Sequence, residues 1–413
     1  MLQSFRQIYQ RFLWHWKARK KHCVGFHVSN VPRLLQRLEQ HGVPSVVLRW
    51  FDDVPRTPEE ERRYTKDVDL LIDGAGLETA IRLAADQPGS VRCDVYSSTG
   101  RRGSTYSGMP YYPPVLANEL LANRELYDSA FHVPCRELHF RSLAYHLTYQ
   151  KGLISGIPSG CHLPSDPHPK RDYGRLMAEL AKSARVNIEK PLTLVALHEH
   201  LKRCGWNMPP DLLARWPRQT PWHQWLFERE QELLRPWAET LSHLLVFFIR
   251  EDVTARGLAE AATQMLREKF SVLAVQDLSS EQTERVMRQV RGGNWVQHQK
   301  TTVVPPKIAI VCYDLHPTSA GLSEAAQRAN RQKKDAFPFV KNANVFFKHD
   351  IRKRLNEMAD GPLKIQGIHG SDDAYESLHM IEAIYGKDSA RLIRQFARQV
   401  LGPGTGDHQR RAA

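Results

Sequence analysis

Three aspartates raise the first chemical question. Asp67 and Asp69 flank Val68, and Asp94 follows within a second apolar segment, Val91 to Tyr96. On an extended strand, residues two apart share a face, so Asp67 and Asp69 point the same way. Carboxylates that close repel one another unless a cation lies between them. Mg2+ or Mn2+ suits them, because such ions take a few hard oxygens and leave room for a substrate phosphate. Two ions so held can activate an acceptor hydroxyl and neutralise a leaving pyrophosphate. In that chemistry Asp67 or Asp69 bridges the metals, and Asp94 is the candidate base. Arg49, Arg63 and Lys66 lie nearby in sequence and can contact the phosphates of an NTP. The plainer account is a solvated strand edge, because aspartates at this spacing are common.

A second candidate lies in Ile368-His369-Gly370-Ser371-Asp372. Its histidine follows the last expected strand, and Lys348, Arg352 and Arg354 belong to a basic helix before it. The structural account is a helix cap, with Ser371 or Asp372 closing a helix that begins near Asp373. His132, His139 and His146 recur every seven residues, a spacing that can place them on one helix face. No Cys or carboxylate spacing completes a metal site around them. His146 and Lys151 are candidates for the acceptor side of a cleft.

These residues need elements to hold them. Leu2, Phe5, Tyr9, Phe12, Leu13 and Trp16 recur at helical spacing in a basic segment, residues 1–22. A helix is expected over 30–41, ended by Gly42. Strand Val46 to Leu48, a polar loop, strand Val68 to Ile72, helix Leu77 to Ala85 and strand Val91 to Tyr96 follow, which describes a small α/β sheet. From 115 to 265 the pattern is mainly helical, and Leu241 to Ile249 reads as a buried helix. After Phe270 it changes. Strand Ser271 to Val275 precedes a capping box, Ser279-Ser280-Glu281-Gln282, and its helix. Strands Trp295 to Val304 and Lys307 to Tyr313, a basic helix over 346–358 and strand Leu363 to Ile368 come next. Helices over 373–385 and 388–400 close the pattern. The order β-α-β-β-α-β is the split βαβ of a ferredoxin-like domain.

Two resemblances rest on these residues. The runs Val46-Val47-Leu48-Arg49-Trp50, Lys66-Asp67-Val68-Asp69-Leu70-Leu71-Ile72-Asp73 and Cys93-Asp94-Val95 resemble the polymerase-β-type nucleotidyltransferase superfamily. That resemblance implies transfer of an NMP group from NTP, with Mg2+ held by Asp67, Asp69 and Asp94. Arg49-Trp50 stands where the family carries a glycine-serine turn. The run around His369 is similar to the phosphohistidine motif of nucleoside diphosphate kinases, whose fold is ferredoxin-like. It implies that His369 attacks a γ-phosphate, with Glu376 or Glu382 orienting the ring. The expected divisions are an amphipathic helix in 1–29, a nucleotidyltransferase-like domain over 30–155 and a helical region over 156–266. A nucleoside-diphosphate-kinase-like domain over 267–402 and a disordered tail over 403–413 complete them. The fold class is α/β plus α+β: a small mixed-sheet domain, a helical middle and a ferredoxin-like C-terminal domain.

Composition bounds the partners. The chain has 413 residues and a net charge of +13, which favours anionic partners such as nucleotides, nucleic acid or acidic lipid. Six scattered cysteines argue against a disulfide framework and for a reducing cytoplasm. No apolar run is long enough to span a membrane, and no signal peptide is expected. Residues 1–22 can pack as an amphipathic helix on the protein itself or touch the inner face of a membrane peripherally. The acceptor can be a sugar, a protein or nucleic acid, and the C-terminal domain can hold a homo-oligomer together. Two rival classes are a catalytically decayed nucleic-acid- or partner-binding protein and a membrane-associated enzyme of surface-glycan synthesis.

Overall fold

The computed structural model describes residues 2–20, 24–100, 103–106, 109–214, 220–295, 303–317, 347–359 and 365–402. They form two compact units, one from 1–208 with 215–224, the other from 209–214 with 225–413. Both mix helix and strand, one around a mixed sheet and the other around an antiparallel sheet.

The first unit opens with helix α1 (Leu2–Lys20), strand β1 (Val24–Val28), helix α2 (Val31–Gln40) and strand β2 (Ser45–Val47). Helix α3 (Pro58–Arg63), strand β3 (Asp67–Ile72), helix α4 (Leu77–Ala85) and strand β4 (Val91–Ser97) follow. The sheet order is β1-β4-β3-β2, with β3 and β4 parallel and the outer pairs antiparallel. Alternation sends Val68, Leu70 and Ile72 of β3 and Cys93 and Val95 of β4 into a core with Leu34, Leu38 and Ile81. Each such large side chain contributes about 1.5–3 kcal/mol on full burial. The same alternation leaves Asp67, Asp69, Arg92 and Asp94 on the other face. Local sequence fixes the helix starts. The Asn30 side chain accepts from Arg33 N at 3.0 Å, and Thr57 with Glu60 forms a capping box.

Strand β1 takes in residues 24–28, ahead of the division expected at residue 30. Its three inward residues, Val24, Phe26 and Val28, are too few for periodicity to mark it. Helix α5 (Pro114–Ala122) leads to a hairpin of β5 (Arg124–Tyr127) and β6 (Phe131–Pro134). Asp128 and Ser129 both take positive φ in its turn, the geometry that matches strand twist. His132 is therefore on a strand, so it shares no helix face with His139. Helix α6 (Arg136–Tyr145) runs into a π-helix, His146–Lys151, and α7 (Tyr173–Ser183) and α8 (Leu194–Arg203) follow.

The second unit departs from expectation at its first strand. Leu241 to Ile249 is not a helix; strand β7 (Leu244–Arg250) occupies it, with every residue buried. A strand covered on both faces shows an unbroken apolar run, without the alternation that distinguishes strand from helix. Helix α9 (Ala259–Lys269), strand β8 (Ser271–Asp277), helix α10 (Ser280–Gln289) and strand β9 (Pro306–Tyr313) follow. Helix α11 (Phe347–Met358), strand β10 (Ile368–Gly370), α12 (Ala374–Tyr385) and α13 (Ser389–Leu401) complete it. The sheet order is β10-β7-β9-β8, antiparallel throughout. One core packs Val246, Phe248 and Val311 against α12, and the other packs Phe247 and Ile249 against α9 and α11. Most of the strand expected over Trp295 to Val304, and residues 403–413, lie outside the described residues. The strand expected over Leu363 to Ile368 is instead Ile368–Gly370, with 363 and 364 outside the described residues.

Candidate active site

Parallel pairing of β3 and β4 places Asp69 directly opposite Asp94 and Asp67 opposite Arg92. Asp67 is exposed, whereas Asp69 and Asp94 are 8 % and 9 % exposed. Burial pushes the Asp94 carboxyl up. Arg92 pulls it down, and Asp67, within hydrogen-bonding reach, pushes it up again. Burial also pushes Asp69 up; Arg49 opposes that shift, and Asp67 and Asp94 add to it. Carboxyl groups brought onto one face weaken one another's acidity unless a cation lies near them.

Two guanidiniums answer part of this charge. Arg92 donates to both Asp94 oxygens, Nε to Oδ1 and Nη2 to Oδ2, each at 3.0 Å. Its side chain is 56 % exposed, so it can leave. Arg49 Nη2 lies 2.8 Å from Asp69 Oδ2, with the Arg49 side chain only 9 % exposed. Burial works against the Arg49 charge, yet Asp69 and the neighbouring tyrosines hold it well above the ordinary arginine range. Arg49 reaches Asp69 because Leu48 N still donates to the Asp69 carbonyl at 3.0 Å, just past the end of β2. Trp50 then takes φ 56, a left-handed backbone unusual for a bulky residue. Trp50 thus keeps a glycine-like backbone while carrying an aromatic ring, over which Arg171 stacks at 3.6 Å.

The opposite wall is aromatic. The Tyr111 ring lies 4.2 Å from Tyr96, and the Arg49 guanidinium lies 5.5 Å above it. The Tyr111 hydroxyl meets His146 Nδ1 at 2.8 Å, and Gln150 Nε2 donates to the Tyr111 carbonyl at 2.8 Å. Burial drives His146 well below the ordinary histidine range and His139 down to about 4, so both are neutral. His146 therefore supports the wall.

Lys151 ends the π-helix. Burial lowers its ammonium, Arg49 and Lys170 lower it further, and Asp69 and Asp67 raise it. Widened turns of this kind free backbone carbonyls. Here Trp222 Nε1 donates to the Thr148 carbonyl and His223 Nε2 meets the Tyr149 carbonyl, both at 2.7 Å. Gly152 follows at φ 57, where a Cβ would stand 3.0 Å from the Trp222 ring. Gly25, opposite Asp94 on β1, matters for a different reason: a Cβ there would lie 3.1 Å from Asp94 Oδ1.

The phosphate candidates beside β3 are separate from Arg49. Arg63 and Lys66 line a cleft of about 380 Å³ with Asp52, Asp53, Arg56 and Tyr64. Each already has a carboxylate: Arg63 lies 2.7 Å from Glu59, and Lys66 lies 2.7 Å from Asp53.

In the second unit, His369 is the middle residue of β10, not a residue after the strand. It pairs opposite Phe248, and its ring lies 5.9 Å from Trp295. The cap of α12 is Asp373, whose side chain accepts from Glu376 N at 2.9 Å, not Ser371 or Asp372. Glu376 accepts from the Asp372 N–H, and Glu382 lies 3.3 Å from His379. Lys348 Nζ donates to the Gly370 carbonyl at 3.0 Å and to Asp372 at 2.9 Å. Arg352 Nε donates to the Ile368 carbonyl at 2.9 Å, while Arg354 reaches Glu268 at 3.4 Å.

Sequence reasoning missed Gly25, Arg92 and Tyr111 at the carboxylate face. Arg92 carried a signal, since a residue two before Asp94 on a strand shares its face. Gly25 carried none, because its register depends on pairing across the sheet. No known protein family, curated protein or solved structure matches the chain.

Proposed function

We propose that the first unit is a Mg2+-dependent nucleotidyltransferase of the polymerase-β type, moving an NMP group from NTP to a hydroxyl or phosphate acceptor. One observation carries the reading: Asp69 lies in register with Asp94, with Asp67 on the same face and within hydrogen-bonding reach of Asp94. Carboxylates gathered on one face are the kind of hard oxygen ligand that a divalent ion of this sort takes. Asp67 and Asp69 would hold it, and when bound it would neutralise charge on the transferring phosphoryl group. Arg49 fixes the Asp69 carboxylate in place. Asp94, its acidity weakened by burial, takes the acceptor proton once Arg92 moves aside. Arg63 and Lys66 contact the phosphates from the adjoining cleft, and Lys151 faces the acceptor.

For the second unit we infer a ferredoxin-like domain. Its order β10-β7-β9-β8 supports this, with β7 and β9 as the central strands of two interleaved βαβ crossovers. It serves nucleotide binding or assembly. We place the protein in the cytoplasm, where NTP is supplied, against the inner face of the membrane.

The test is calorimetry of the full chain with NTP and Mg2+, alongside pyrophosphate release. Binding that needs Mg2+ and is lost in Asp67→Asn/Asp69→Asn supports the reading. Equal binding by that variant sinks it.

A further inference from the structure

Helix α1 is held by one face and exposes an apolar stripe on the other. Trp14 is 2 % exposed, and its ring lies 5.0 Å from Phe26 of β1. Gln7 Nε2 donates to the Asp86 carbonyl at 3.1 Å, and His15 lies 3.4 Å from Glu78 of α4. These contacts set the helix's rotation on the first unit. On the far side, Phe5, Ile8, Tyr9, Phe12 and Trp16 are 68, 61, 65, 71 and 43 % exposed. Their spacing makes one stripe about 100° wide. A contiguous row of exposed rings marks an interaction surface, not scattered surface residues.

Charge identifies what meets the stripe. Arg6 and Lys17 border it on one side and Arg11 on the other, by helical spacing. Arg19 and Lys20 follow in sequence, and Leu2–Lys20 contains no Asp or Glu. A second copy docked through this face would bring like charges together. A bilayer with anionic headgroups takes both parts: rings enter the boundary between headgroups and acyl chains, and cations meet the phosphates. No helix among the described residues is long and apolar enough to cross a membrane, so α1 would lie along the surface.

We infer that α1 docks this protein on an anionic lipid surface through Phe5, Ile8, Tyr9, Phe12 and Trp16. The inference shares the membrane placement given above but is independent of nucleotidyl transfer. Its test therefore uses no nucleotide, and either can fail without the other.

The experiment is flotation of the full chain with vesicles of phosphatidylcholine alone or mixed with phosphatidylglycerol. The chain floats with the mixed vesicles, and added salt weakens this. Phe12→Ser/Trp16→Ser lowers partitioning at least about tenfold. Arg6→Gln/Arg11→Gln/Lys17→Gln lowers it about a hundredfold. Both sets change bordering or exposed positions, and unchanged melting by circular dichroism confirms that each variant folds. A chain that stays at the bottom with both vesicle types overturns the inference. So does a Phe12→Ser/Trp16→Ser variant that floats as well as the parent. A dimer lost in that variant, without flotation of the parent, assigns the stripe to a second copy instead.

Discussion

The two units each carry a group of ionisable residues, and the groups differ in how their charges are answered. On the β3–β4 face, buried carboxylates crowd one another and are only partly matched by Arg49 and Arg92. Around β10, each buried cation is matched: Lys348 by the Gly370 carbonyl and Asp372, and Arg352 by the Ile368 carbonyl. Cations that complete the hydrogen bonding of a strand hold structure. Carboxyl groups that weaken one another's acidity are groups that a further cation would relieve. That difference, more than the presence of titratable residues, separates the candidate active site from a helix-capped strand end.

The sharpest way to break the comparison is to remove the buried pair that joins structure to chemistry. Asp69→Ala strands the Arg49 guanidinium without its carboxylate, at a cost of about 3–5 kcal/mol in unfolding free energy. Asp69→Ala/Arg49→Met removes both charges and recovers most of that loss. The double variant still fails to bind NTP with Mg2+. Urea denaturation measures the first effect and calorimetry the second. A double variant that binds NTP as well as the parent would show that this face is structural.

A smaller effect follows from the shifted carboxyls. Asp69 and Asp94 ionise less readily in the fold than in the unfolded chain. They carry more protons when folded, so their contribution to stability rises as pH falls from neutral through the raised values. It levels off below the ordinary carboxylate range. A divalent ion competes with those protons. Mg2+ therefore raises the melting temperature of the first unit more at neutral to mildly alkaline pH than on acidification. Melting with and without Mg2+ across that range checks it. A Mg2+ effect that grew on acidification would remove the carboxylates as the ligands.

The sheet around the aspartates was legible because its signals are local. Val68, Leu70 and Ile72 alternate with Asp67 and Asp69, and a two-residue period is visible in any single strand. What a single strand cannot show is its neighbour. Asp69 meets Asp94 and Gly25 only through pairing between segments distant in sequence. Arg49 was legible as a cation but not as the partner of Asp69, because that contact depends on where β2 ends. The run Leu244–Arg250 misled for the opposite reason: strand pairing on both edges and a core on both faces erase periodicity. The π-helix at His146 was illegible too, since its freed carbonyls are answered by Trp222 and His223, far along the chain.

The second unit supplies the smallest effects. Asp373→Ala removes the cap that accepts from Glu376 N and costs about 1 kcal/mol, with no change in NTP binding. His369→Gln costs less again, about 0.5 kcal/mol or under, because the residue is half-buried on an edge strand. If β10 is structural, incubation with γ-labelled ATP leaves no acid-labile phosphate on the parent chain. His369→Gln then changes neither labelling nor pyrophosphate release. An acid-labile label present in the parent and absent from the variant would reverse the contrast between the units. It would make the histidine a nucleophile despite a neighbourhood whose buried cations are already matched by backbone carbonyls and Asp372. The label is the more telling readout, because a modest loss of stability follows from any substitution on this strand, whereas a phosphoryl group on His369 follows only from chemistry there.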